Sequence, residues 1–323
     1  MKVGLYSITY LGVWYRGAAL TLEQLIDRAS EYGYAGVEID GKRPHGNPAD
    51  MSRDRCLEVR RKAYDAGIAL YAVAANNDFS SPIPEHRDSQ LLYVRDLIRM
   101  TADLGAPTVR TFAAWPGVTL SSNGGRYDIA RRVWAAAHEE FTREQAWDRC
   151  RDGLIESAKY AREHGVTLAL QNHPPVVENY QDMLRMIGEV GSPALKACLD
   201  APLAEKQGVR DMRQAVRDVG SLQILSHFGG EYERDADGRV LGYVRGPDGG
   251  LRQEDFYRDF AQALHETGYD GYIGYELCHP LPKVNGQTVG VEFADKNAEL
   301  AAEYMRTMIA EIRYATTARG GML

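Results

Sequence analysis

Four side chains that can bind a cation or move a proton each end a short apolar stretch in the second half of the sequence. The stretches are "LALQ", "LKACLD", "LQILSH" and "YIGYE", and the residues that end them are Gln171, Asp200, His227 and Glu276. Two carboxylates, an imidazole and an amide oxygen suit Mn²⁺, Mg²⁺ or Fe²⁺, and suit Zn²⁺ less well. A single aspartate or histidine at a strand end also serves as a helix N-cap or a buried hydrogen-bonding group. Four consecutive stretches that end in this way predict a divalent-metal site.

A repeated unit must position these residues: an amphipathic helix, a glycine, and then a short apolar strand. In the first unit, "TLEQLIDRASEYGYAGVEI", Thr21 and Gln24 have the spacing of a capping box, and the apolar residues that follow share one helical face. A glycine ends the helix in each of seven such units, which predicts a helix C-cap there. These glycines are Gly33, Gly67, Gly105, Gly165, Gly191, Gly220 and Gly268.

With the opening strand "KVGLYSIT", the repeats give eight strands that alternate with helices. Continuous apolar strands of this kind predict a parallel sheet covered by helices, and eight units favour a closed (βα)8 TIM barrel over an open sheet. The loop after the first strand has no glycine-rich phosphate motif of the open dinucleotide-binding type. We therefore predict an α/β fold with one barrel domain over residues 1–323, with a flexible C-terminal tail from about residue 316 to 323.

Two connections are longer than simple links, and both leave the carboxyl ends of predicted strands. The one after strand four spans Trp115 to Trp147, and the one after strand seven reads "GGEYERDADGRVLGYVRGPDGG". The second pattern predicts a β-hairpin with turns at "DADG" and "GPDGG". Barrel enzymes keep their active sites on this rim, so we expect walls or a lid over one pocket, although two plain surface insertions remain an alternative.

Composition excludes several classes of protein. Apolar residues make up 44% and charged residues 26% of the 323 residues, as in a globular protein, and a net charge of −7 argues against nucleic-acid binding. No apolar run has membrane-spanning length and "MKVGLYSITY" lacks the features of a signal peptide, so we predict a cytoplasmic protein without membrane contact. The four cysteines are far apart and are expected to be reduced thiols.

The strand ends resemble those of the sugar phosphate isomerase/epimerase superfamily, the xylose isomerase-like barrels, over essentially the whole chain. The mononuclear members bind their metal through Glu, Asp, His and Glu at the ends of strands five to eight. By this resemblance Asp200, His227 and Glu276 are ligands, and Gln171 stands where the family has glutamate. The resemblance implies one divalent ion, with Mn²⁺ favoured and Mg²⁺, Fe²⁺, Co²⁺ and Zn²⁺ left open. Endonuclease IV shares the fold but needs extra histidines, which the "DAPL" after strand six lacks.

The glutamine changes the expected chemistry, because an amide does not accept and return protons near neutral pH. In the ketose epimerases of the family, two metal-bound glutamates act as bases on opposite faces of the sugar carbon. Here Glu276 is the remaining member of that pair, so a two-base epimerisation requires His173 or another group to replace the missing carboxylate. We predict His173 and Glu276 as the catalytic residues. The alternative role of His173 is to orient Gln171 or a carboxylate through a hydrogen bond.

The "Gln-Asn-His" strand end, "DGKRPHG" and "SITYLGVWYRG" resemble the α subunit of bacterial C-glycoside deglycosidases. That resemblance implies a lyase that removes the proton beside the keto group of a 3-oxo-glycoside and expels an aromatic aglycone joined through carbon. It also implies a small β subunit as a partner in a hetero-oligomer; without one, we expect a homo-oligomer. The alternatives are a sugar (phosphate) isomerase or epimerase of the ketose 3-epimerase type, and a non-catalytic sugar-binding barrel.

Further polar and aromatic residues at strand ends are candidates for contacts with a sugar or glycoside. Tyr10 and Tyr15 belong to the same aromatic loop, about half of whose rings should instead pack beneath the rim. Ion pairs of Arg110 and Lys42 with Glu38 or Asp40 are an alternative to substrate contacts. The predicted substrate-binding residues are Tyr6, Trp14, Glu38, His45, Arg110 and His279.

Overall fold

The computed structural model describes residues 1–121, 124–246 and 250–320. Within these residues, eight parallel strands close into a barrel, which confirms the predicted (βα)8 barrel. The barrel strands are β1 (Lys2–Tyr6), β2 (Gly36–Asp40), β3 (Ala69–Ala74), β4 (Thr108–Thr111), β7 (Thr167–Gln171), β8 (Leu195–Cys198), β9 (Gln223–Gly229) and β13 (Tyr272–Glu276). Their order around the barrel is β1-β13-β9-β8-β7-β4-β3-β2.

Helices cover the outside of the barrel, and their ends follow the predicted repeat. They are α1 (Leu22–Glu31), α2 (Arg53–Asp65), α3 (Pro84–Leu104), α4 (Tyr127–His138), α5 (Arg143–Glu163), α6 (Tyr180–Val190), α7 (Ala201–Lys206), α8 (Met212–Val219), α9 (Tyr257–Glu266) and α10 (Val291–Gly320). All seven glycines of the repeat have positive φ, between 53° and 78°. Glycine adopts this conformation without steric cost, so each unit can turn sharply from helix to strand.

The first helix starts as the sequence predicts. The Thr21 side chain accepts a hydrogen bond from the Gln24 backbone N–H, and the Gln24 side chain accepts one from the Thr21 backbone. Leu22, Leu25 and Ile26 are buried against the barrel. The last helix, α10, continues to Gly320, into the tail predicted to be flexible, and residues 321–323 lie outside the described residues.

Both long connections carry secondary structure of their own. The first contains a hairpin of β5 (Thr119–Ser121) and β6 (Gly124–Arg126), followed by α4. The second is a three-stranded antiparallel sheet of β10 (Glu231–Arg234), β11 (Val240–Arg245) and β12 (Leu251–Gln253). The predicted turn at "DADG" joins β10 to β11. The turn predicted at "GPDGG" includes residues 247–249, which lie outside the described residues. A short hairpin that was not predicted, β14 (Lys283–Val284) with β15 (Gln287–Thr288), follows the last barrel strand.

A tyrosine fills the barrel beneath the strand ends. The Tyr71 ring stacks on Tyr272 with 4.1 Å between ring centroids. A Cβ atom built on Gly4 or Gly274 would stand 2.4 Å or 2.6 Å from atoms of the Tyr71 side chain, so these strands leave the space that the ring needs. The barrel therefore has a packed floor, and its open end is at the carboxyl ends of the strands. No helix in the described part of the chain is long and apolar enough to span a membrane.

Candidate active site

A cavity of about 380 Å³ opens at the carboxyl ends of the barrel strands. This is the size of a site for a sugar-sized ligand. Both long connections contribute to its wall, through Trp115 and Tyr127 on one side and Val244 and Arg245 on the other. The predicted site residues that line it are Tyr6, Trp14, Arg110, Gln171, His173, Asp200, Glu276 and His279.

A chain of hydrogen bonds crosses the bottom of this cavity. Glu38 accepts hydrogen bonds from His227 Nε2 and from Arg110 Nε, each at 2.7 Å. Arg110 Nη1 donates to Gln171 Oε1 at 2.7 Å. Gln171 Nε2 then donates to Asp200 Oδ2, also at 2.7 Å. Residues that are far apart in sequence are thus joined into one buried polar network, which holds each side chain in a single orientation.

The Glu38 contact fixes the orientation of the His227 ring. Burial lowers the pKa of His227, but the Glu38 carboxylate outweighs burial and raises this pKa well above its ordinary value, so a cation would have to displace the proton on Nδ1. Because Nε2 donates to the Glu38 carboxylate, Nδ1 faces the other way, 3.7 Å from Asp200 Oδ2 and 3.6 Å from Cys198 Sγ. A carboxylate that fixes the tautomer of a histidine in this way is typical of metal-binding histidines. Glu38, predicted to contact substrate, instead lies beneath the cavity and orients His227 and Arg110.

Asp200 has two roles in the structure. Its Oδ1 caps helix α7 by accepting the Leu203 N–H at 2.8 Å, and its Oδ2 faces Gln171 and His227. Burial, together with the nearby negative charge of Glu276, raises the pKa of Asp200 above its ordinary value. Burial would also raise the pKa of Glu38, but Arg110 and His227 outweigh this effect and lower the Glu38 pKa to about 2. The cavity therefore contains two carboxylates, Asp200 and Glu276, that repel each other, and a cation bound between them would relieve this repulsion.

The side chains at the site have the atom types that bind a divalent cation. Asp200, His227 Nδ1 and Glu276 are oxygen and nitrogen donors of the types that Mn²⁺ accepts. Among the described residues, no three histidine, cysteine, aspartate or glutamate side chains already stand in ligating geometry. Gln171 directs its oxygen to Arg110 and its amide nitrogen to Asp200, so its side chain would have to rotate to act as a ligand. The metal site, with Gln171 in it, stays a prediction.

His173 lies at the edge of the cavity, between aromatic rings. Its Nδ1 lies 2.6 Å from the Pro174 carbonyl oxygen, which can only accept a hydrogen bond, so Nδ1 carries the proton and Nε2 has a free lone pair. The ring packs edge-on against Trp115 and Phe112, and burial lowers the pKa of His173 well below its ordinary value. A neutral imidazole with a free lone pair can accept a proton. Among the described residues, neither Gln171 nor a carboxylate forms a hydrogen bond with His173. The structure therefore does not support the alternative in which His173 orients one of these groups.

The remaining predicted contacts divide into those at the cavity and those away from it. Tyr6 donates to Asp40 at 2.6 Å while its ring covers the Arg110 guanidinium. His279 lies at the rim, where its Nε2 is 3.0 Å from Glu231 Oε1. His45 is buried, with Nε2 at 2.9 Å from the Leu20 carbonyl oxygen, and does not line the cavity.

In the aromatic loop after β1, some rings line the cavity and others pack away from it. Tyr10 and Tyr15 pack beneath the rim, and their hydroxyls donate to Asp295 and to backbone carbonyls. Trp14 lines the cavity and packs on Tyr127.

Sequence reasoning missed several aromatic residues at the cavity. Phe112, Trp115 and Tyr127 line it, all from the end of β4 or the connection that follows. They could have been found from the sequence, because several aromatic residues lie close together near a strand end, in a connection already predicted to form a wall of the pocket. Their contact with His173 depends on how the connection folds back, which the sequence pattern does not show.

A family model for the xylose isomerase-like TIM barrel matches residues 26–308. The chain belongs to the xylose isomerase-like TIM barrel family. The match spans all of the predicted metal ligands and most of the barrel, so the family assignment rests on the same strands that build the cavity.

Several proteins with a similar sequence or fold are named as sugar epimerases. The chain is 26% identical to fructoselysine 3-epimerase of Escherichia coli O157:H7, an alignment that covers 86% of the chain and 90% of the relative. The fold is similar to D-psicose 3-epimerase from Clostridium cellulolyticum H10, with a TM-score of 0.70, 18% identity and coverage of 96% and 99% of the two chains. It is also similar to 3-keto-D-glucoside 4-epimerase from E. coli, with a TM-score of 0.66, 17% identity and coverage of 95% and 99%.

Proposed function

We propose that this protein is a divalent-metal-dependent enzyme that enolises a keto-sugar, and that it acts as a sugar epimerase or isomerase. The observation that carries the proposal is the arrangement of the cavity. Asp200, Glu276 and His173 line it, and His227 Nδ1 lies behind this lining, 3.7 Å from Asp200 Oδ2. The similarity to fructoselysine 3-epimerase supports the sugar class and the epimerase reading over the C-glycoside lyase.

Two groups on different sides of the cavity can exchange protons with one sugar carbon. Glu276 ends β13 and His173 follows β7, and these strands are separated by two others in the closed barrel. We propose that Glu276 and His173 Nε2 act on opposite faces of the carbon next to the substrate carbonyl. One of them removes the proton as a base, and the other, which starts in its protonated form, returns a proton to the enediolate from the opposite face. His173 would thus replace the carboxylate that the family has at the position of Gln171.

Asp200, His227 and Glu276 would hold the cation, with Mn²⁺ the preferred ion. The cation would supply positive charge that stabilises the enediolate. Arg110 adds a second positive charge beneath the cavity, and the stacked rings of Tyr6 and Phe112 keep its guanidinium in place. No described residue accepts a hydrogen bond from Arg110 Nη2, so this nitrogen is available for a substrate oxygen.

A second candidate function, β-elimination from a 3-oxo-glycoside, is favoured by Gln171. With an amide in place of one carboxylate, one base remains among the family's pair, which is enough to remove a proton and expel a leaving group. In this reading the proton that Glu276 takes up would pass to the departing aglycone carbon, and the unprotonated His173 Nε2 would accept a hydrogen bond from a hydroxyl group of the aglycone. A small partner subunit belongs to this second candidate.

The proposal is tested by incubating the purified chain with Mn²⁺ in D₂O, with free ketoses and with 3-oxo-glucosides. Deuterium at the carbon next to the carbonyl would support enolisation, and a new epimer would support the epimerase reading. Release of the aglycone would instead support the lyase. Glu276→Gln should lose the exchange, whereas the control His265→Gln, on the outer helix α9, should keep it. No exchange with any substrate, with or without Mn²⁺, would overturn the proposal.

A further inference from the structure

Five cationic side chains line the cavity of the candidate active site, although the whole chain has a net charge of −7. They are Lys42, Arg110, Arg131, Lys206 and Arg245. Three of them form ion pairs within the chain: Lys42 with Asp40 at 3.4 Å, Arg245 with Glu231 at 3.0 Å and Arg110 with Glu38 at 2.7 Å. Arg131 and Lys206 have no carboxylate partner among the described residues, and we call these two the rim cations.

The rim cations flank His173. His173 follows β7, which lies between β8 and β4 in the barrel. Lys206 ends α7, the helix after β8, and Arg131 belongs to α4, in the connection after β4, where its guanidinium lies 5.5 Å from the centroid of the Tyr127 ring. Burial is the main cause of the lowered pKa of His173, and the charges of Arg131 and Lys206 lower this pKa further, so both cations are close to the ring.

The carboxylates that line the cavity have other partners. Glu205, next to Lys206 in the sequence, accepts a hydrogen bond from Arg252 Nη2 at 2.6 Å. Asp200 and Glu276 are the proposed metal ligands, and a divalent cation would balance their charges. The positive charges of the rim cations are therefore left for a negatively charged group of a ligand.

The neighbouring helix start favours a carboxylate over a phosphate as that group. The planar guanidinium of Arg131 can donate two parallel hydrogen bonds to a carboxylate. Phosphate sites often use the free N–H groups at the start of a helix. At the start of α7, however, the Leu203 N–H already donates to Asp200 Oδ1 at 2.8 Å, and the charge of Asp200 would repel a phosphate.

We propose that the sugar substrate carries a carboxylate group, and that Arg131 and Lys206 bind this group beside His173. The inference rests on the proposed function and narrows its substrate class to acidic keto-sugars. Both rim cations are exposed to solvent, so dissolved salt screens their charges. The affinity for an acidic sugar should therefore fall as salt is added, whereas the affinity for a neutral sugar should not.

The test compares three sugars with one carbon skeleton, whose binding to the full-length chain with Mn²⁺ is measured by calorimetry. They are D-fructose, D-fructuronate, in which a carboxylate replaces the hydroxymethyl group farthest from the carbonyl, and D-fructose 6-phosphate. We expect D-fructuronate to bind about tenfold more tightly than D-fructose, through two solvent-exposed charge contacts. Arg131→Met and Lys206→Met should each reduce this ratio to about threefold, and the double variant should bring it to about one. The matched control, Lys159→Met with Arg162→Met on the outer helix α5, should leave the ratio unchanged.

Equal affinities for D-fructose and D-fructuronate, or a ratio that survives the double substitution, would overturn the proposal. The second result would mean that the carboxylate binds elsewhere, for example to the metal ion. D-fructose 6-phosphate that bound as tightly as D-fructuronate would overturn the assignment of a carboxylate. The binding assay needs no turnover, so it is independent of the exchange experiment. Binding of D-fructuronate that depends on the rim cations, without proton exchange in any sugar, would support the carboxylate site and reject the proposed enolisation.

Discussion

Gln171 lies between groups of opposite charge and satisfies both with one amide. Its oxygen accepts from Arg110 and its nitrogen donates to Asp200, each at 2.7 Å. A glutamate in its place would keep the contact with Arg110 but would face Asp200 with a second negative charge. Without a cation, this repulsion adds to that already present between Asp200 and Glu276. The Gln171 amide therefore keeps both hydrogen bonds of the network without adding a third carboxylate beside Asp200 and Glu276.

We expect Gln171→Glu to lower the stability of the metal-free protein by about 1–3 kcal/mol, because a hydrogen bond to a charged group becomes a repulsion. Added Mn²⁺ should raise the melting temperature of the variant more than that of the unaltered protein. The measurement is thermal unfolding in EDTA and in Mn²⁺, with Gln181→Glu, at an exposed position in α6, as the matched control. If Mn²⁺ raised the melting temperatures of Gln171→Glu and of the unaltered protein equally, Gln171 would lie outside any metal site.

At the scale of single elements, strand β13 links the packed floor of the barrel to the site. Gly274 lies between Tyr71 and His227: a Cβ atom there would stand 2.6 Å from the Tyr71 hydroxyl oxygen and 3.1 Å from His227 Cδ2. Tyr71 cannot easily withdraw, because it is buried and stacked on Tyr272. His227 can therefore keep its orientation because residue 274 is a glycine, which has no side chain.

Gly274→Ala should lower the free energy of unfolding by about 1–3 kcal/mol, the usual cost of adding a methyl group to a filled core. Because the displaced neighbour includes His227, we also expect the proton exchange rate to fall. Urea denaturation and deuterium exchange measure the two effects. The same substitution at Gly188, in α6 and with no atom within 4 Å of the added Cβ, should be neutral or slightly stabilising. A Gly274→Ala variant as stable and active as that control would contradict this account.

At the scale of the whole molecule, the sequence predicts the repeat, the barrel and the positions of the strand ends, because these follow from local periodicity and from the seven glycines. The residue types at the ends of β7 and β13 could likewise be read from the chain. The bond of Arg110 to Gln171 could not, since it joins side chains 61 positions apart whose rotamers depend on every neighbour in the cavity. A second cavity beside the first was also not predicted, because its walls meet only when the connection after β4 packs against Pro174 and Pro175.

The network beneath the cavity also ties the closed barrel together, since Glu38 is on β2, Arg110 on β4 and His227 on β9. Removing one partner of the buried pair in Glu38→Met or Arg110→Met should cost about 3–5 kcal/mol, because the buried charge that remains loses its ion-pair partner. The double substitution should cost clearly less than the sum of the two, since neither charge then remains. Urea unfolding of the three variants gives the coupling. The same cycle at the exposed pair Arg126 and Asp128 should show almost none. Additive costs at Glu38 and Arg110 would mean that the pair does not brace the barrel.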